Sequence, residues 1–252
     1  MWALAKRGRR LELWLLALLG GVAAVGWAVT IARMRGMDAG PNTDPGSFGF
    51  FLGVWVVMMA AMMFPSAAPM VTVYARLQRS RAAVALFQGG YLAAWTLAGL
   101  AAYAIAVSAR TSSLPALSWD RGGRYAAAAI LAAAAIYQLT PWKERCLTRC
   151  RGPLGFVLTS WRDGHLGALR MGALHGAWCL GCCWALMASL FALGVMSVTW
   201  MALVAVLIAA ERLLPWKELA NRGIAALLMA LAVGVALAPE SVPGLTLPGG
   251  MI

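Results

Sequence analysis

The chain has 252 residues, of which 62% are hydrophobic and 12% charged, with a formal charge of +12 and a mean hydropathy of +0.76. A soluble domain has about 45–50% apolar and about 25% charged residues, so this composition excludes a soluble globular enzyme. It also excludes a disordered basic tail, which would be poor in apolar residues, and leaves an all-α, polytopic transmembrane helix bundle, read as one domain over residues 1–252.

About seven stretches carry the roughly 20 apolar residues that a span requires. They fall near 12–32, 49–74, 83–108, 125–142, 171–193, 196–211 and 222–238. Each is expected to be helical, because backbone groups in lipid must bond within their own segment. The first follows a basic run, as a signal peptide does. Its apolar run is too long for one, and Thr30-Ile31-Ala32-Arg33 is a poor cleavage sequence. It is read as a retained anchor.

Sixteen of the 21 Lys and Arg residues fall in alternate segments: Lys6–Arg10, Arg76–Arg81, Lys143–Arg170 and Arg212–Arg222. The other five are Arg33, Arg35, Arg110, Arg121 and Arg124. The excess of positive charge on one side places the amino terminus in the cytoplasm and the carboxyl terminus outside. The expected location is the bacterial inner membrane, crossed several times. Residues 143–169 become a cytoplasmic loop, in which apolar Leu154–Trp161 suits the interface. The +12 charge is then a topology signal and the partner is the lipid bilayer. No nucleic-acid partner is implied.

The second stretch contains Met58-Met59-Ala60-Ala61-Met62-Met63-Phe64-Pro65-Ser66-Ala67-Ala68-Pro69-Met70. At 3.6 residues per turn, Met62, Met63, Ser66 and Met70 lie within about 60° of Met59. One face therefore carries four thioethers and a hydroxyl. Pro65 and Pro69 each remove a helix hydrogen bond, and a kink or an opening of the helix just past its middle is expected.

The fifth stretch contains His175-Gly176-Ala177-Trp178-Cys179-Leu180-Gly181-Cys182-Cys183. Cys179 and Cys182 lie within about 40° of His175, and Cys183 within about 80°. Met171 joins the same stripe. Soft thiolate and thioether ligands select Cu(I), and Cys with His also suits Zn²⁺. Thioethers are poor zinc ligands, so copper as Cu(I) is preferred over zinc. The candidate metal ligands are Met59, Met62, Met63, Met70, His175, Cys179, Cys182 and Cys183.

A Met stripe or a single buried Cys is ordinarily a packing feature. Here three of the five cysteines fall within five residues, with His175 four residues ahead of the first. The other two, Cys146 and Cys150, are four apart in a basic segment on the cytoplasmic side. Neighbouring cations favour thiolate, which makes these two candidate relay thiols for a soft metal. Gly172 and Gly176 suggest a tight helix contact. Glu12, Glu144, Glu211, Glu218 and Glu240 fall at the ends of expected spans or in loops, and Glu211 is read as an interface position at the end of the sixth. Proton-coupled transport, which usually relies on buried carboxylates, is therefore only weakly supported, and hydrolase chemistry has no support.

These segments resemble a bacterial family of predicted metal-binding integral membrane proteins that carry a domain of unknown function, some members of which are labelled copper chaperones. The resemblance rests on Met58–Met70, on Thr140–Pro153 with its two cysteines, and on His175–Met187 with its Cys-x-x-Cys-Cys. It extends to Gly194-Val195-Met196 and Glu211–Pro215, so that it covers most of 50–220. It implies a membrane fold and metal binding, and supplies no reaction.

The functional expectation is copper handling: holding, transferring or translocating Cu(I), with a metallochaperone or a membrane complex as partner. Two alternatives stand beside it. One is a membrane redox enzyme or subunit, because Cys179 and Cys182 have the spacing of dithiol oxidoreductases. The other is a structural or assembly partner of a membrane complex, whose thiols only fill space.

Overall fold

A computed structural model of the chain describes residues 2–34, 46–78, 80–111, 122–195, 197–242 and 245, the side chains of 2–12 and 109–111 excepted. Arg35, Arg79, Arg121 and Met196, used in the sequence reading, lie outside the described residues, as do the side chains of Lys6, Arg7, Arg9, Arg10 and Arg110.

The described residues form helices and no strands, so the all-α class holds. The helices are α1 (Trp2–Met34), α2 (Phe48–Leu77), α3 (Arg81–Thr111), α4 (Arg124–Gln138), α5 (Pro141–Arg151), α6 (Pro153–Ser160), α7 (Gly164–Leu193), α8 (Val198–Leu213) and α9 (Lys217–Leu237). One turn of 3₁₀ helix follows at Pro239–Ser241.

Among the described residues, five helices are long and apolar enough to cross a membrane: α1, α2, α3, α7 and α9. α4 and α5 together make a sixth candidate, bent by 66° at the break between them. α8 has 16 residues, about 24 Å at 1.5 Å per residue against roughly 30 Å of hydrocarbon. The count of seven spans therefore remains an expectation. α5 and α6 occupy much of the segment expected as a loop.

α2 continues from Phe48 to Leu77 through both prolines. The opening expected at Pro65 does not interrupt the helix. Pro65 and Pro69 are both exposed. Hydroxyls on either side serve the backbone: Ser66 Oγ donates to the Met63 carbonyl and Thr72 Oγ1 to that of Pro69, each at 2.9 Å.

The chain divides into two compact units. The first comprises Met1–Thr30, Leu52–Leu100 and Arg145–Gly181. In it glycines bring helices to backbone contact. A Cβ on Gly172 of α7 would meet the Phe87 carbonyl of α3, and one on Gly90 of α3 would meet the Leu169 carbonyl of α7. One on Gly176 would lie 2.7 Å from Ala94 Cβ and 2.9 Å from the Tyr91 carbonyl. The tight contact suggested by Gly172 and Gly176 is thus made with α3. α2 joins α3 through Trp55, whose Nε1 donates to the Trp95 carbonyl at 2.8 Å and whose ring fills the space over Gly99. Gly26 lets α1 approach Ala61 of α2.

The second unit comprises Ile31–Phe51, Ala101–Glu144 and Cys182–Ile252. α4 buries Ala127, Ala128, Leu131, Ala134 and Ala135. α9 packs along it and buries Ile224, Ala225, Leu228, Ala232 and Val235. The Ala-rich stretch therefore provides a flat face for a neighbouring helix. Tyr137 of α4 sets its ring edge-on to Trp184 of α7, 4.9 Å between centroids.

Candidate metal centre

In the second unit four short sequence features bring charges and thiols together. α4 ends at Gln138, and Thr140 caps the next helix: its Oγ1 accepts the Lys143 amide at 3.3 Å and donates to the Tyr137 carbonyl at 2.8 Å. Pro141 occupies the first helical position, where its missing N–H costs nothing. Lys143 therefore falls in the first turn of α5, the positive end of the helix dipole, where a cation needs a counter-charge.

Glu211 supplies that counter-charge. Glu211 and Arg212 lie in the last turn of α8, which ends because Leu214 precedes Pro215 and is extended (ψ 140°). Lys143 Nζ donates to Glu211 Oε2 at 2.6 Å, with the two side chains 1% and 0% exposed. Glu211, read from sequence as an interface residue, is thus fully buried.

The rest of the centre lies on α7. Cys182 Sγ and Cys183 Sγ are 3.4 Å apart. The Cys183 thiol lies 4.0 Å from Glu211 Oε1, which accepts its weak hydrogen bond. Arg212 donates from one guanidinium nitrogen to both sulfurs, at 3.2 Å to Cys182 and 3.4 Å to Cys183. Among the described residues, Cys182, Cys183 and Glu211 form a group whose ligand atoms all lie within 4.8 Å of one another, and all three are buried. Two adjacent thiols and a carboxylate, withdrawn from water, can hold a metal ion.

The other expected ligands have separate surroundings, in the first unit. Cys179 Sγ is 2.9 Å from Tyr91 Oη, a hydrogen bond that the Gly90–Gly172–Gly176 contact makes possible. His175 is 1% exposed. Its ring stacks with Tyr91 at 5.5 Å and Phe87 at 6.0 Å, and meets Phe156 of α6 at 5.3 Å. Met59, Met62, Met63 and Met70 are all buried on α2. Met171 Sδ accepts the Arg162 amide at 3.3 Å.

None of the five cysteines is in a disulfide. Cys146 and Cys150 are half-buried on α5. Cys146 lies against Gly181, where an added Cβ would sit 2.7 Å from its Sγ. The glycine inside Cys-Leu-Gly-Cys-Cys is therefore the surface on which the α5 thiol rests.

Lys143, Glu211 and Arg212 are the residues that the sequence reading did not assign to the centre. The signal that could have found them is a Glu-Arg pair closing an apolar helix, since charged residues are almost never fully buried unless paired.

A family model described as PpoB2, copper chaperone, matches residues 52–235. No curated protein and no solved structure matches the chain. The matched region contains every residue of the Lys143–Cys182–Cys183–Glu211–Arg212 cluster, and the chain belongs to this copper chaperone family.

Proposed function

We propose that the chain is a multi-pass protein of the bacterial inner membrane that holds and hands on Cu(I) at the Cys182–Cys183 pair. The observation that carries this reading is a buried pair of thiols 3.4 Å apart, with a carboxylate in reach. Soft sulfur donors favour Cu(I), while carboxylate suits harder ions. Glu211 gives one oxygen to Lys143, so the two sulfurs are the ligands proper. Metal binding to Cys releases protons, and Glu211 Oε1, the acceptor for the Cys183 thiol, is the group placed to receive one.

The remaining soft donors serve as further stations. Cys179 and His175 lie one turn and two turns before Cys182 on the same helix. Met59, Met62, Met63 and Met70 supply thioethers from α2. Cys146, seated at Gly181, and Cys150 are the thiols that exchange copper with a cytoplasmic metallochaperone. The amino terminus lies in the cytoplasm on this reading, as the distribution of Lys and Arg supports.

The test is elemental analysis of protein purified in mild detergent with reductant, after growth with copper and zinc. Near-stoichiometric copper that is lost in Cys182→Ala/Cys183→Ala and retained in Cys179→Ala is the expected result. Zinc in its place overturns the Cu(I) assignment, and no metal at all overturns the site.

A further inference from the structure

We infer that Arg212 makes the Cys182–Cys183 pair selective for a monovalent soft ion over a divalent one of similar softness. This rests on reading that pair as the metal site.

The Arg212 guanidinium lies against the thiol pair. It donates to both sulfurs from one nitrogen, at 3.2 and 3.4 Å, and Arg212 is 7% exposed. Arg remains charged at any pH the protein meets, so its charge stands permanently beside the ligand atoms. An ion bonded to Cys182 Sγ at about 2.3 Å lies no more than about 5.5 Å from that nitrogen, given the 3.2 Å contact. At that distance, with the effective dielectric of about 20 that suits protein sites, each further positive charge on the ion costs on the order of a hundredfold in affinity. A monovalent ion bears this once and a divalent ion twice. The Lys143–Glu211 pair, 2.6 Å apart, is neutral as a whole and brings its carboxylate to the thiols, with Oε1 4.0 Å from Cys183 Sγ. It offsets part of the field in wild type and every Arg212 variant alike, so the change between variants reports the guanidinium. The guanidinium therefore works as a built-in filter on ionic charge. It leaves the softness of the ion to the sulfurs.

Ag(I) and Cd(II) test this without redox chemistry. Full-length protein in mild detergent under reductant is titrated with each ion against chelators of known affinity. The Ag(I)-to-Cd(II) affinity ratio is compared among wild type, Arg212→Met, Arg212→Gln and Arg212→Lys. The ratio is expected to fall on the order of a hundredfold in both neutral variants and to stay near wild type in Arg212→Lys. An unchanged ratio in the neutral variants overturns the inference. So does a loss in Arg212→Lys as large as in Arg212→Met. If the variants do not fold, wild type decides against free dithiothreitol, a dithiol with no neighbouring cation. The protein is expected to prefer Ag(I) more strongly, and an equal preference overturns the inference. Failure of the site itself reads differently: wild type then takes up no more of either ion than Cys182→Ala/Cys183→Ala.

Discussion

Lys143→Met leaves Glu211 buried without its counter-charge. The Lys143–Glu211 distance is 2.6 Å, with both side chains essentially inaccessible. At an effective dielectric of about 20, that separation corresponds to an attraction of about 6 kcal/mol, most of it spent against desolvation of the two ions. Breaking a buried pair from one side costs about 3–5 kcal/mol, or roughly two to three and a half decades in the folding equilibrium. Glu211→Met is expected to cost a similar amount. Lys143→Met/Glu211→Met replaces both charges with apolar groups of similar volume and is expected to be nearly neutral. The two single changes and the double change form a thermodynamic cycle with a coupling of at least about 3 kcal/mol. Reversible unfolding in detergent by added denaturing surfactant, followed by tryptophan fluorescence, measures it. Additive single effects would refute the claim that the ion pair ties α5 to α8. Single effects under about 1 kcal/mol, the range of an exposed pair, would refute its burial.

Gly90→Ala and Gly89→Ala form a paired test of the α3–α7 contact. The first drives a methyl into the Leu169 carbonyl and is expected to cost at least about 1–3 kcal/mol. The second meets nothing within 4 Å and is expected to stabilise by about 0.5–1 kcal/mol. Thermal unfolding separates the two. Tyr91→Phe removes the partner of Cys179, with an expected loss of about 1 kcal/mol and unchanged copper content by elemental analysis. Thr140→Ala removes the cap of α5, with an expected loss of about 1 kcal/mol, read in the same unfolding assay.

The helical class and the course of α2, α3, α7 and α9 follow from hydropathy, because a lipid-crossing helix must be apolar along its length. The sulfur-rich segment of α7 was legible too: His175, Cys179, Cys182 and Cys183 stand out in composition and share a stripe. Periodicity along one helix could not show that this stripe meets different neighbours along its length. Cys179 meets Tyr91, whereas Cys182 and Cys183 meet Arg212. Those partners come from elements 88 and about 30 residues away. Glu211 and Lys143 were hidden for another reason. Charges at helix ends ordinarily reach outward to water, and 68 residues separate the two. Both side chains are nevertheless buried, 1% and 0% exposed, against one another. The prolines of α2 are a separate case. The helix runs unbroken from Phe48 to Leu77 through both, so the two missing hydrogen bonds do not end it.

X-ray absorption at the copper edge, on protein loaded anaerobically with one equivalent of Cu(I), tests the central claim most directly. Coordination by two sulfurs in wild type and in Cys179→Ala, lost in Cys182→Ser/Cys183→Ser, is the predicted result. A sulfur shell that survives the double change, or one made of nitrogen and oxygen, would contradict it.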